Sequence, residues 1–156
     1  MKTVLGIDPG LSGALAFLGD GEAVLYDMPV QNKGKGGHEI DMPALVALLR
    51  DLAPGIVVIE RQQTRTRDGK VQAFTTGLGF GALRMACVAL GLPHELPTPQ
   101  AWKKAMLAGE TPDENPKVTS LRVARRLFPL ADLGRKKDAG RAEALLIAEY
   151  GRRTAK

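Results

Sequence analysis

The sequence predicts an α/β fold in which a mixed sheet of five strands carries helices on both faces. Three observations support this. Short apolar, β-branched runs cluster in the first 60 residues, while helix-forming segments dominate the rest. Gly55-Ile-Val-Val-Ile-Glu60 has no polar alternation, as expected of a central strand buried on both faces. A helix-forming segment separates that run from the earlier strands, which calls for a parallel crossover.

Strands at about 2–8, 12–19 and 22–29 form a meander. Pro9, Gly10 and Gly13 permit the first reversal and Gly19-Asp20-Gly21 the second. Residues 31–38, rich in Lys and Gly at their centre, read as a mobile loop. A helix over about 41–52 is capped by Asp41 and carries Pro43 in its first turn. The strand at 56–60 returns parallel to the first. A long helix over about 72–90 follows, then a strand near 94–97. Helices at about 99–108, 116–127 and 139–150 complete the chain, with Gly151 at the expected C-cap of the last. Gly77, Gly79 and Gly81 each cost the long helix about 1 kcal/mol. Gly77 and Gly81 share a face, where close packing within the chain or against a second copy would offset that cost.

At 156 residues the chain is one domain, long enough to bury about 70% of its unfolded surface without staples. Lys and Arg number 22 against 17 acids, giving a net charge of +5, which attracts polyanions over distances that salt shortens. Aromatic residues are only 4% of the chain, too few for a binder that stacks unpaired bases. The lone Cys87 forms no internal disulfide and reads as a small buried residue on a helix. With no secretory leader and no apolar run of roughly 18 residues, a soluble, cytoplasmic protein is expected.

The informative residues are acids. Asp8 ends the run Val4 to Ile7, and Glu60 ends the apolar run that follows Gly55. A carboxylate delivered by a buried strand is costly unless a cation meets it, and two such strands side by side argue for a metal. Glu143 sits among Ala142, Ala144, Leu145 and Leu146 in the last helix, where an exposed acid is the ordinary alternative. Asp138 falls where either a helix N-cap or a further site acid is expected. Carboxylates from distant segments are the layout that holds a pair of Mg²⁺ or Mn²⁺ ions for phosphodiester chemistry.

These pieces carry a resemblance. Gly6-Ile-Asp8-Pro-Gly10 with Ser12-Gly-Ala-Leu-Ala, Val57-Val-Ile-Glu60, Pro99-Gln-Ala-Trp102-Lys103, and Gly140-Arg-Ala-Glu143 through Gly151 occur in the order found in the RuvC family of Holliday junction resolvases. The chain resembles in particular its phage-encoded branch, within the ribonuclease H-like superfamily. The resemblance implies a homodimeric endonuclease that resolves four-way DNA junctions by symmetric hydrolysis, leaving 5′-phosphate and 3′-hydroxyl ends. It implies Asp8, Glu60 and Glu143 as ligands of two Mg²⁺ or Mn²⁺ ions per site, with a fourth ligand just upstream of Glu143. That fourth ligand is either Asp138, reaching in from a non-helical cap, or a residue that Ala139 has replaced. Lys103 and Lys117 match lysines that approach the scissile phosphate. Where bacterial relatives place an aromatic wedge three residues after the glutamate, this chain has Gln63. Arg61, Gln63, Arg65, Arg67 and Lys70, with Lys33 and Lys35 from the 31–38 segment, are expected to touch DNA.

Other readings are a junction-binding module with impaired cleavage and another ribonuclease H-like nuclease acting on branched DNA. A sugar-kinase-like ATPase, suggested by the hairpin around Asp8, needs a second phosphate loop and about twice the length.

Overall fold

In the computed structural model, residues 3–64 and 66–154 are described. In chain order the elements are β1 (Val4–Asp8), β2 (Ala14–Leu18), β3 (Ala23–Asp27), β4 (Val30–Asn32), β5 (His38–Ile40), α1 (Met42–Leu52), β6 (Ile56–Ile59), α2 (Lys70–Ala89), β7 (His94–Glu95), α3 (Pro99–Met106), α4 (Pro116–Leu127) and α5 (Ala139–Thr154). The main sheet has the order β3-β2-β1-β6-β7. Its first three strands pair antiparallel, and β6 and β7 are added in parallel. This is the mixed five-stranded sheet that the sequence predicts.

Strand alternation sends side chains to two cores. Val4, Ala16, Leu18 and Val58 pack with Trp102, Val123 and Leu145 on the face covered by α3, α4 and α5. Leu5, Ile7, Leu15 and Val57 pack with Leu45, Leu49 and Leu83 on the face covered by α1 and α2. Cys87 lies in this second core, where burial pushes its thiol up to about 11, so it stays protonated at neutral pH.

α5 lies directly on β1. A Cβ at Gly6 would overlap Ala144 O and Ala148 N, so only glycine lets helix and strand backbones come this close. Gly151 departs from the sequence expectation for the same reason. It lies inside α5, which runs on to Thr154, and a Cβ there would overlap Val58 Cγ2. The residue is a packing glycine rather than a cap.

The segment 31–38 also departs from expectation. It forms most of a hairpin, β4 against β5, with Gln31 facing Glu39 and a short 3₁₀ turn over Gly34–Gly36 between them. Gln31 Nε2 donates to Glu39 Oε1 at 3.0 Å, and Gly34 N donates to Asn32 Oδ1 at 2.7 Å. The glycines are the turn, with Gly34 at φ 69° and Gly37 at φ 83°.

Candidate metal and nucleic-acid site

Two carboxylates are placed by the central ladder. Asp8 is the last residue of β1, paired with Ala14 across a turn that Gly13 N closes onto Gly10 O at 3.1 Å. Glu60 follows β6 directly, and its N–H donates to Ile7 O at 3.1 Å, which seats it beside Asp8. The third, Glu143, comes from the second turn of α5. Where α5 begins, a Cβ at Gly140 would stand 2.7 Å from Ser12 O and 3.3 Å from Asp8 Oδ2, so a small residue lets the helix start against the carboxylate.

The charges of these groups act on one another. Burial raises the Asp8 pKa well above the usual carboxylate range, and the charges of Glu143 and Glu60 raise it further. Lys117 and Lys103 oppose that rise. Among the described residues nothing donates a hydrogen bond to the Asp8 carboxylate. Glu60 is also raised, chiefly by burial, against the opposing hydrogen bond from Trp102. Trp102 Nε1 donates to Glu60 Oε2 at 2.6 Å, and Gln62 Nε2 donates to Oε1 at 3.3 Å. Glu143 Oε1 lies 3.8 Å from Lys103 Nζ and accepts a long bond, 3.4 Å, from Ser120 Oγ.

No three Asp, Glu, His or Cys side chains among the described residues stand close enough together to hold a metal ion. The donor chemistry nevertheless fits one. Asp8 is a desolvated carboxylate that feels the charges of two more, and carboxylate oxygens are the donors that suit a hard divalent cation.

Asp138 is engaged elsewhere. Its side chain is fully buried, with Oδ2 accepting from Arg135 N at 2.6 Å and Oδ1 from Arg135 Nε at 2.7 Å. Its carbonyl accepts from Ala142 N at 2.9 Å, the position of a helix N-cap. Both carboxylate oxygens are therefore committed to the turn that precedes α5. Arg135 also forks onto Asp27 at 2.7 and 3.0 Å, and Arg141 donates to Asp27 at 2.8 Å and to Asp132 at 2.6 Å. The hydrogen bond from Arg135, ahead of the others, holds Asp27 well below the usual carboxylate range.

The expected DNA contacts that fall on described residues are all exposed. Arg61, Gln63, Arg67 and Lys70 are exposed on the 61–70 segment, whose start is tied down by Arg61 N donating to Pro97 O at 2.8 Å. Lys33 and Lys35 are exposed on the β4–β5 hairpin, with Lys33 Nζ 3.7 Å from Glu39. Arg65 lies outside the described residues. A cavity of about 410 Å³ separates hairpin, α2 and the β1–β2 turn, with Ser12, Lys33, Gln62 and Thr75 on its walls.

Sequence reasoning missed Trp102, Ser120, Arg135 and Arg141 as site-forming residues. Trp102 left a signal, because a buried indole N–H needs an acceptor and the nearby acids are the available ones. Trp102→Phe should remove the donor while keeping most of the ring. The expected result is a loss of about 1–2 kcal/mol in urea unfolding and a further rise in the Glu60 pKa. An unchanged midpoint would show that this bond carries no weight.

The main sheet and its flanking helices are the ribonuclease H-like fold of RuvC, as solved structures show. Thermus thermophilus RuvC matches with a TM-score of 0.66 and 22% identity over 97% of this chain and 95% of that one. The same bacterium's RuvC in complex with Holliday junction substrate matches with a TM-score of 0.66 and 18% identity, covering 99% and 97%. The yeast mitochondrial Holliday junction resolvase Ydc2 is more distant, with a TM-score of 0.50 and 13% identity over 96% of this chain and 78% of that one. No protein-family model and no curated protein sequence matches the chain.

Proposed function

We propose that this chain is a metal-dependent endonuclease that resolves four-way branched DNA. The observation that carries the proposal is the partly buried Asp8 carboxylate, without a hydrogen-bond donor among the described residues and facing Glu60, Glu143, Lys103 and Lys117. Likeness in fold to a resolvase solved with its junction supports the choice of substrate.

Asp8, Glu60 and Glu143 are the groups that would hold Mg²⁺ or Mn²⁺. A pair of such ions supplies activation of a water and neutralisation of charge at the phosphodiester. Among the chain's own residues, β1 and β6 fix two acids at adjacent strand ends, and α5 carries the third, whose charge acts on Asp8. Lys103 and Lys117 place positive charge where negative charge grows in the transition state. Lys103→Ala and Lys117→Ala are each expected to lower the single-turnover cleavage rate roughly 10²-fold with little loss of junction affinity. Equal losses in rate and binding would make them mere docking lysines.

Pairing of two copies through α2 fits a substrate with two strands to cut. Val71, Phe74, Met85 and Val88 are 81%, 70%, 64% and 61% exposed, a stripe too apolar for a solvated helix. A Cβ at Gly77 or Gly81 would meet nothing within 4 Å among the described residues, so packing against them does not explain those glycines. A second copy does. The motif style supports a phage-encoded protein acting in the cytoplasm of a bacterial host.

A second reading, a junction-binding module that cuts poorly, is favoured by the engagement of Asp138 with Arg135 next to Ala139. One experiment separates the two. A labelled four-way junction, a duplex and a fork are incubated with Mg²⁺, Mn²⁺ or EDTA. Paired symmetric nicks in the junction, dependent on metal, support the resolvase. Shifted but intact junction supports the binding module, and no preference for the junction overturns both.

A further inference from the structure

We propose that the turn over residues 135–138 is a phosphate-binding element, with Lys136 and Lys137 as its contacts and Asp138 as its internal anchor rather than a metal ligand. The inference rests on the reading of the chain as a DNA-binding protein and assigns it a contact outside the 61–70 segment and the hairpin.

The turn is built from alternating charges. Arg135 lies between Asp138 and Asp27, and Arg141 between Asp27 and Asp132, with bonds of 2.6–3.0 Å. Arg141 Nε also stands 3.9 Å from Asp138 Oδ1. These bonds join the end of β3 to the segment before α5 and to the helix itself. The acids and arginines of the turn thus satisfy one another. Lys136 and Lys137 are exposed, and no ion pair engages either of them among the described residues. Their charge is available to a partner.

Position makes that partner a DNA backbone. Gly140 abuts the Asp8 carboxylate. Lys137 lies three residues earlier, so its Cα is within about 11 Å of the Gly140 Cα. Phosphates recur every ~3.4 Å of axial rise along a strand, so a strand whose scissile group sits at Asp8 carries neighbours within lysine reach. Holding two lysines on an ion-paired turn lowers the entropy lost when a phosphate docks. Asp138 is a positioning residue, because it acts on DNA through the turn.

Junction affinity is measured in EDTA by fluorescence anisotropy over a range of NaCl, and Mn²⁺ binding to the DNA-free protein by electron paramagnetic resonance. Lys136→Gln and Lys137→Gln are each expected to lower the slope of log affinity against log salt by about one, and the double variant by about two. Mn²⁺ binding should stay unchanged in all three. Asp138→Asn should keep the Mn²⁺ stoichiometry of the unaltered protein and weaken junction binding, whereas Asp8→Asn should lose Mn²⁺. An unaltered slope in the double lysine variant overturns the phosphate contact. Loss of Mn²⁺ in a folded Asp138→Asn protein overturns the anchor and makes Asp138 a ligand. If the unaltered chain binds neither junction nor Mn²⁺, the functional reading itself falls. If it binds both while the lysine variants behave like it, only the present inference does.

Discussion

Asp8→Asn is expected to abolish junction cleavage and at the same time to raise the melting temperature of the metal-free protein at neutral pH. The two effects share one origin. Burial and two neighbouring acids raise the pKa of Asp8 in the folded chain. An acid whose folded pKa lies above its unfolded value favours the folded state only while it is protonated. Its contribution is fully present below the unfolded pKa of about 3.9 and is lost as pH rises through the higher folded value. At neutral pH the ionised Asp8 therefore works against folding. Asparagine removes that charge at similar volume, with an expected gain on the order of 1 kcal/mol, or about 2–4 °C. The gain should shrink as pH is lowered below the raised pKa of Asp8, and shrink again when Mg²⁺ or Mn²⁺ stabilises the unaltered protein but not the variant. Junction binding should be retained or tightened, because a negative charge facing DNA is gone. Calorimetric scans between pH 4 and 8 with a parallel cleavage assay would check it. Full cleavage by Asp8→Asn would remove this carboxylate from the chemistry.

Gly6→Ala should be severely damaging for a single-methyl change. The new methyl would overlap the backbone of α5 at Ala144 and Ala148, and neither β1 nor α5 can retreat without opening the buried core between them. Overpacking of this kind costs about 3 kcal/mol or more, which at this chain length lowers the melting temperature by roughly 6–12 °C. The site should suffer as well, because β1 carries Asp8 and α5 carries Glu143. A soluble Gly6→Ala protein should therefore lose Mn²⁺ affinity along with stability. A variant as stable as the parent would mean that the strand and helix are not held as closely as described.

Much of this architecture is legible in the sequence because apolar runs and their ends are local signals. The run Val4 to Ile7 places Asp8 at a strand end, and Gly55 to Ile59 does the same for Glu60. Both arise from backbone pattern alone. Glu143 is legible by its apolar neighbours. The hairpin over 30–40 is not, because its Lys and Gly residues resemble a solvated loop and its pairing depends on Gln31 meeting Glu39. Gly151 stands where a cap is usual, yet the helix runs past it to Thr154, and it is the nearness of Val58 that calls for a glycine there. Least legible is the network around Asp138. Arg135 and Arg141 meet Asp27 across 108 and 114 positions of chain, and no local pattern foretells such a meeting. A short acid near a helix start can cap, bind a cation or brace a turn, and tertiary partners decide among these.

The two ways in which acids are fastened here have unequal endurance. The amide of Glu60 is part of the central β1–β6 ladder, so its deuterium uptake should wait for unfolding of the whole domain. Glu143 rides on a helix whose entry is braced by partly exposed guanidinium–carboxylate contacts, which concentrated electrolyte weakens. High ionic strength should therefore free the turn that leads into α5 while the helix itself stays seated on β1, and a halophilic counterpart would need an apolar brace in place of Asp27.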